Sequence, residues 1–444
     1  MVVSQIIDQH SIADRARRRI TRRLLPYLFL LYVIAYLDRV NLSYAALQMK
    51  GELSLTDDVL GIGAGMFFIG YVLLEIPGTI MVEKWSARRW MARIMISWGI
   101  VAVLMGFIQT KNQFYLLRFL LGAAEAGFFP GMIVYLSHWF RWEDRAKAMA
   151  LFMAAQPISN IMGSPLSGLL LGINWLGMSG WRWMFVLEGL PAIIFGVITI
   201  FYLTDWPHQA RWLPDDERTW LTSELQRESQ AKETVRAYRI LEAFRQREVV
   251  LLTVAYFFIV SSVYGFNFWL PTIIKRQSGF SNLLVSFISA VPFCAGLVGM
   301  LLIGRSSDKT QERRWHTALS MIVASLGLFL AVVAQNHLAL AVGMFCVAAV
   351  GIYGYIAPFW SLPTSFLTGT AAAATIGLIN SIGNLGGFAG PYVVGYLSKA
   401  TGSFFGGVLY LSLSALVAAF LILSLRATKQ RAVSDKLQFV AAGK

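Results

Sequence analysis

The chain has 444 residues, 57% of them hydrophobic and only 14% charged, with a formal net charge of +14 and a mean hydropathy of +0.59. Apolar stretches recur along nearly its whole length, which identifies a polytopic membrane protein, and the cations flank those stretches without forming a basic domain, which argues against nucleic acid as a partner. Two cysteines, Cys294 and Cys346, both inside apolar segments, exclude a disulfide framework and a zinc site, and no metal site is expected.

A helix needs about 20 apolar residues to cross a bilayer. Twelve segments qualify, near 24–45, 59–82, 91–109, 113–138, 146–172, 183–204, 248–274, 283–304, 317–335, 338–360, 370–398 and 403–425. The first run shows no cleavage-site pattern and is too long for a signal peptide, so it is expected to stay as span 1. Basic residues collect on alternate loops. Arg15, Arg17, Arg18, Arg19, Arg22 and Arg23 precede span 1, Lys84, Arg88, Arg89 and Arg93 follow span 2, and Arg141, Arg145 and Lys147 follow span 4. The opposite loops carry isolated cations such as Lys50, Lys111, Arg182 and Lys399. Because Lys and Arg accumulate on the cytoplasmic side, both termini are expected in the cytoplasm.

One long polar stretch, 205–247, divides the chain six plus six. Within it Pro214 precedes acids and then Trp220, Leu221 and Leu225, the pattern of a capped amphipathic helix lying along the membrane. The expected units are a basic segment 1–23, a bundle 24–204, a linker 205–247, a bundle 248–426 and a tail 427–444. An internal repeat supports the division. Arg88-Arg89-Trp90 recurs 225 residues on as Arg313-Arg314-Trp315, Glu83 as Asp308, and Pro130 and Pro165 as Pro358 and Pro391. The reading is an all-α membrane protein with twelve transmembrane helices in two pseudo-symmetric six-helix bundles. Repeats of this parallel kind place a substrate site at mid-membrane between the halves.

Ionisable residues inside the spans are concentrated in the first half: Asp38, Arg39, Glu75, Arg118, Glu125 and Glu188. A charged side chain in hydrocarbon costs roughly 2.5–3.5 kcal/mol on insertion scales, so each is a candidate for function. Arg118 and Glu125 are seven residues apart, nearly two turns, and share a face about 10 Å apart, too far to pair as neighbours. Arginine is always protonated, whereas a carboxylate in apolar surroundings can titrate, so fixed cations attract an anion while acids carry protons. The competing reading is a set of salt bridges holding helices together. Glu75 is as suited to bracing a helix as to binding, Glu188 is expected to pair with an arginine or cap a helix, and His138 beside Trp139 reads as interfacial. Aromatics such as Tyr264, Phe266, Phe268 and Trp269 could line a path, but packing is the commoner role. Glycines in GFFPG and the run Gly383, Gly386, Gly387, Gly390 allow close helix approach and bending. Asp, Glu and His form no catalytic constellation at a membrane face, so no enzyme is expected.

The stretches YLDRVNLS, LRFLLGAAEAGFFPG, GWRWMFVLEG, GRSSDKTQERRWH, APFWSLPTSFLTGTAAA and LINSIGNLGGFAGP resemble the anion:cation symporter family of the major facilitator superfamily, over essentially the whole chain. That branch includes galactonate, tartrate and glucarate transporters, phthalate-type permeases, sialin and the vesicular glutamate transporters. The resemblance implies that Arg39 anchors a substrate carboxylate, that Asp38 and Glu125 are protonation sites, and that Arg118 is engaged by Glu125 or the substrate in alternation. It further implies that Tyr71, Gln156, Asn380 and Asn384 hydrogen-bond the substrate, with Trp360 and Ser361 as weaker positions. Glu83, Arg88 and Arg89, and Asp308, Arg313 and Arg314, match the superfamily's loop signature, which caps helix ends and latches the halves in one conformation. In the first copy Thr79 and Ser86 stand where glycines are usual and Glu83 replaces Asp. The implied function is proton-coupled uptake of a small organic anion, most simply a sugar acid or hydroxy-dicarboxylate (aldonate, aldarate, tartrate). The alternative is an aromatic or heterocyclic carboxylate of phthalate, hydroxyphenylacetate or nicotinate type. No cofactor beyond the proton gradient is implied. The expected partners are the anion, protons and membrane lipid, for a monomer in the bacterial cytoplasmic membrane.

Overall fold

The structure, a computed structural model, describes residues 2–233, 246–366 and 369–425. Those residues are helical almost throughout, as the sequence predicts. Span 1 (Val2–Glu52) is one helix, and its 51 residues extend it to roughly 75 Å, so it projects well beyond a bilayer at its basic end. Spans 2 (Asp57–Lys84), 3 (Ala87–Met105) and 6 (Gly180–Tyr202) of the first half, and 7 (Arg247–Ser278), 8 (Asn282–Thr310), 9 (Arg314–Val333) and 12 (Phe405–Leu423) of the second, are also continuous. Large apolar side chains face outward along them, with Leu302 59%, Val333 65% and Phe420 70% exposed, an arrangement that is stable only in lipid.

Four spans are broken, and the breaks repeat between the halves. Span 4 runs Lys111–Glu125 and resumes at Phe128–Trp139, while span 10 runs Leu338–Gly354 and resumes at Ile356–Phe366. Span 5 divides into Trp142–Met153 and Ala155–Leu170, and span 11 into Gly369–Gly383 and Gly386–Thr401. Nine helices among the described residues are long and apolar enough to cross a membrane by themselves. The nine include the broken spans 4 and 10 taken whole, and leave out spans 3, 5 and 11; span 3 begins with Arg88, Arg89 and Arg93.

The break in span 4 follows directly from GAAEAGFFPG. Gly127 has φ +84°, a left-handed conformation in which a Cβ would also lie 2.9 Å from the Gly78 backbone. Glu125 is therefore the last residue of a helical segment whose terminal carbonyls carry partial negative charge. Such an end favours a nearby cation. Spans 2 and 4 pack tightly because Gly122 leaves no Cβ, which would otherwise fall 1.8 Å from the Phe67 carbonyl oxygen.

The polar linker begins with a helix, Asp215–Glu233, after Pro214. Arg15 pairs with Asp216 at 2.7 Å and Arg19 with Glu217 at 3.1 Å, which fixes this helix beside the start of span 1 and defines a linker face of the bundle. The remainder of the proposed linker, 234–245, and the tail 427–444 lie outside the described residues.

Among the described residues, the contacts of the loop signature lie within each half. Arg313 pairs with Asp308 at 2.7 Å and Arg314 donates to the Leu425 carbonyl at 2.7 Å, both within the second half. Arg88 lies 3.5 Å from Asp205, which also accepts from the Arg88 backbone N–H at 2.9 Å, within the first half; Ser86 caps span 3 by accepting from the Arg89 N–H at 3.3 Å. The Glu83 side chain lies outside the described residues. These groups thus brace loops inside each half, where exposed helix ends need partners.

Ion pairs between the halves lie at the far face. Asp57, at the start of span 2, accepts from Lys50 at 2.5 Å and from Arg276 of span 7 at 2.5 Å, and Ser398 of span 11 donates to it at 2.9 Å. Asp58 pairs with Lys399 at 2.9 Å. Gly395 permits this closeness, since a Cβ there would meet the Asp57 carbonyl oxygen at 2.4 Å.

Candidate functional site

Arg39 sits at the waist of two adjoining cavities between the halves. The cavity toward the far face is lined by Arg39, Arg118, Asn160 and Asn267. The cavity toward the linker face is lined by Arg39, Tyr71, Gln156, Trp360, Asn380 and Asn384. Tyr36, Phe67, Phe68 and Tyr264 border both. Six of the eight expected substrate residues therefore converge on one cavity, and Arg118 lines the other. Ser361 is the exception, because its hydroxyl donates to the Ala357 carbonyl at 2.9 Å and it borders neither space.

The guanidinium of Arg39 is held on three sides. Its Nε donates to Glu125 Oε1 at 2.9 Å, its Nη2 donates to the same oxygen, and its Nη1 donates to the Tyr264 hydroxyl at 3.2 Å. Rings of Tyr36, Phe67 and Tyr71 lie 5.1, 5.3 and 5.5 Å from its centre, a cation–π cage that a lysine would fill less well. Tyr264 belongs to span 7, so its bond to Arg39 crosses between the halves. The sequence read Tyr264 as packing. Its hydroxyl, in a run otherwise rich in phenylalanine, was the available signal.

Arg118 and Glu125 do not pair, as their spacing requires. Arg118 is 4% exposed, donates from Nε to the Gly63 carbonyl at 3.2 Å, and lies 5.1 Å from the Phe67 ring. Phe67 thus contacts both arginines. Asp38 and Glu125 are each 1% exposed and border neither cavity, so the acids stand behind the arginines and reach the cavity through them. Gln156 donates to the Tyr36 hydroxyl, which orients its amide at the cavity wall.

The two remaining acids of the spans, Glu75 and Glu188, are placed by contacts between helices. Glu75, 3% exposed, accepts from Asn380 and from Ser381 at 2.9 Å, both on span 11. It braces the two halves together on the linker side of the cavity, and it occupies one of the amides expected to bind substrate. Glu188 has no arginine partner among the described residues and caps nothing. It lies mid-span, with Ser167 donating to it at 3.5 Å and the Asn41 amide within reach, and it faces Asp38. The expected pairing fails because span 6 turns Glu188 inward against span 1, while Arg182, in the first turn of the same span, binds Glu52 at the far-face end at 2.8 Å. His138 stacks on Trp206 at 4.0 Å, as an interfacial residue would.

Far-face residues were the main omission. Asp57, Asp58 and Arg276 drew no attention, and Lys50 and Lys399 read as stray cations. Their signal was position. Cations on the loops opposite the basic face need a reason, and here the reason is the ionic closure between the halves.

Two bundles joined across a central polar cavity, with paired breaks in corresponding helices, define an integral membrane transporter rather than an enzyme. Residues 28–391 match the Major Facilitator Superfamily, and the chain belongs to that family. A protein named "Putative tartrate transporter" from Agrobacterium vitis is 46% identical over 94% of this chain and 96% of its own length. A quinolone resistance transporter from Acinetobacter baumannii is 40% identical over 89% of this chain and 91% of its own. Among solved structures, the xylose transporter XylE from E. coli, in a partially occluded inward-open conformation, aligns with a TM-score of 0.73 over 94% of this chain and 100% of that one, at 14% identity.

Proposed function

We propose that the protein is a proton-coupled importer of a small hydroxylated organic anion, with a hydroxy-dicarboxylate of the tartrate kind as the best-supported substrate. The observation that carries this reading is Arg39, a cavity-facing guanidinium whose counterion is a buried carboxylate, Glu125. A substrate carboxylate would replace Glu125 on Arg39 bidentately. Tyr71, Gln156, Asn380 and Asn384 would hydrogen-bond its hydroxyls, and Arg118 would take a second carboxylate at the other end. Protonation of Glu125 from the outside would free Arg39, and deprotonation toward the cytoplasm would expel the anion. Asp38, beside both arginines, would carry a proton in the same cycle. The similarity to the Agrobacterium vitis protein supports this substrate class. The basic linker face would be cytoplasmic, in the bacterial inner membrane, and the monomer would suffice because the cavity lies within one chain.

A second reading draws on the aromatic lining of the same cavity, where Tyr32, Phe129, Tyr256, Tyr355 and Trp360 outnumber the amides. It assigns an aromatic carboxylate, with Arg39 in the same role. A thermal-shift series on the purified protein, with hydroxy-dicarboxylates, aldonates and aromatic acids at two pH values, separates the readings. The expected result is stabilisation by tartrate-like diacids, larger at the lower pH, because binding to the native state adds stability as RT ln(1 + [L]/Kd). Stabilisation by aromatic acids alone would select the second reading.

A further inference from the structure

The first-half bundle buries more carboxylate than arginine can neutralise. Asp38, Glu75, Glu125 and Glu188 are 1, 3, 1 and 6% exposed, and the guanidinium groups among them are Arg39 and Arg118. Arg39 is paired with Glu125, and Glu75 has donors on both oxygens. Arg118 spends its Nε on a carbonyl and lies in electrostatic range of Asp38 and Glu125. Glu188 is left with one long bond from Ser167. An uncompensated carboxylate in this setting costs several kcal/mol, so it is retained only with something bound to it.

Glu188 is not isolated. Asn41, 0% exposed, donates to Asp38 Oδ1 at 3.1 Å and lies in electrostatic range of Glu188, so one amide stands near both acids. Three buried oxygens of this cluster, Asp38 Oδ2, Asn41 Oδ1 and Glu188 Oε2, have no hydrogen-bond partner among the described residues. On its remaining sides Glu188 meets Ser167 from span 5, while the face of span 3 packed against its neighbour Gly189 presents Gly99 and Val103. Beyond Asp38 lie Arg118, Arg39 and Glu125. No group of three or more His, Cys, Asp and Glu converges among the described residues, which disfavours a polyvalent metal. Two acids, an amide and a hydroxyl suit a single positive charge.

We propose that Asp38, Asn41, Glu188 and Ser167 form a monovalent-cation site, distinct from the Arg39 cavity, that holds one proton or one Na⁺ between the two carboxylates. It rests on the proposed transport function only for its use in coupling. A cation there stabilises Asp38 in its ionised form or shares its proton, which changes the charge felt by Arg39 and Arg118 and so links cation occupancy to anion binding.

The test uses purified full-length protein without any organic anion. One arm titrates Na⁺ against choline at alkaline pH by radiolabelled binding, and the other measures proton uptake in weakly buffered, Na⁺-free solution. The expected result is that Glu188→Gln binds one equivalent fewer than wild type in one arm, which identifies the cation. Asn41→Ala, which removes the amide beside Asp38 and keeps both acids, is expected to shift the midpoint of that equivalent at least about tenfold. Equal binding by wild type and Glu188→Gln in both arms overturns the proposal, and should that variant not fold, an unshifted midpoint in Asn41→Ala does the same. Since no anion is present, failure here leaves the Arg39 assignment standing. Loss of anion binding in an Arg39 variant that keeps the cation equivalent leaves this one standing.

Discussion

Arg39→Ala is expected to abolish measurable anion binding, with a loss of at least about 100-fold in affinity. Truncating one partner of a buried, hydrogen-bonded charge pair costs about 2–5 kcal/mol, and each 1.4 kcal/mol is tenfold. The loss has two sources. The substrate carboxylate loses its bidentate donor, and Glu125 is left buried with no cation in contact, so a negative charge now faces the incoming anion. Arg39→Lys separates these effects. It keeps a charge beside Glu125 and should preserve folding, yet a compact ammonium cannot reproduce the fork or the three-ring cage, so binding should recover only in part. Calorimetric titration of the two variants checks this, and wild-type affinity in Arg39→Ala would remove the anchoring role.

Glu125→Gln is expected to separate exchange from accumulation. In the wild type an ionised Glu125 competes with the anion for Arg39, so lowering the pH through the titration of Glu125 should strengthen binding and raising it should weaken binding. Glutamine keeps the shape and removes the charge, so the variant stands permanently in the equivalent of the protonated state. Its anion affinity should lose the part of the pH dependence that Glu125 contributes, so that it varies clearly less with pH over the range where wild-type affinity changes about tenfold or more. In vesicles it should exchange internal for external anion at near wild-type rates but accumulate none against a gradient. Accumulation at the wild-type ratio would remove Glu125 from the coupling mechanism. Buried Arg39, deprived of its counterion, should also make the unliganded variant less stable and increase the stabilisation given by substrate.

Much of this arrangement is legible in the sequence, for physical reasons. Spans follow from apolar length, and the division into halves follows from one polar stretch and a repeated Arg-Arg-Trp. The Arg118–Glu125 spacing already required separate partners, and the structure supplies the Gly63 carbonyl for one and Arg39 for the other. What could not be read were contacts set by the packing of distant helices. Glu75 meets Asn380 and Ser381 across some three hundred residues of chain, and no local pattern records that meeting. The inward turn of Glu188 depends on where span 6 lies against span 1. The ion pair of Asp57 with Arg276 at the far face is likewise hidden, because the sequence shows only ordinary span-end charges there.

The far-face ion pairs and the Glu75 contact bracket the cavity from both sides. Opening toward the far face must break Asp57–Arg276 and Asp58–Lys399, while opening toward the linker must release Asn380 and Ser381 from Glu75. A substrate that draws Asn380 toward itself competes with Glu75 for that amide, which ties occupancy of the cavity to the contact between halves.

Proton-coupled import is tested by uptake of radiolabelled tartrate into proteoliposomes holding the purified protein, with and without an imposed pH gradient, acid outside. Accumulation above equilibrium is expected to require the gradient and to collapse when a protonophore dissipates it. Accumulation unaffected by the protonophore, or no tartrate uptake while an aromatic acid is taken up, would rule out proton-coupled tartrate import.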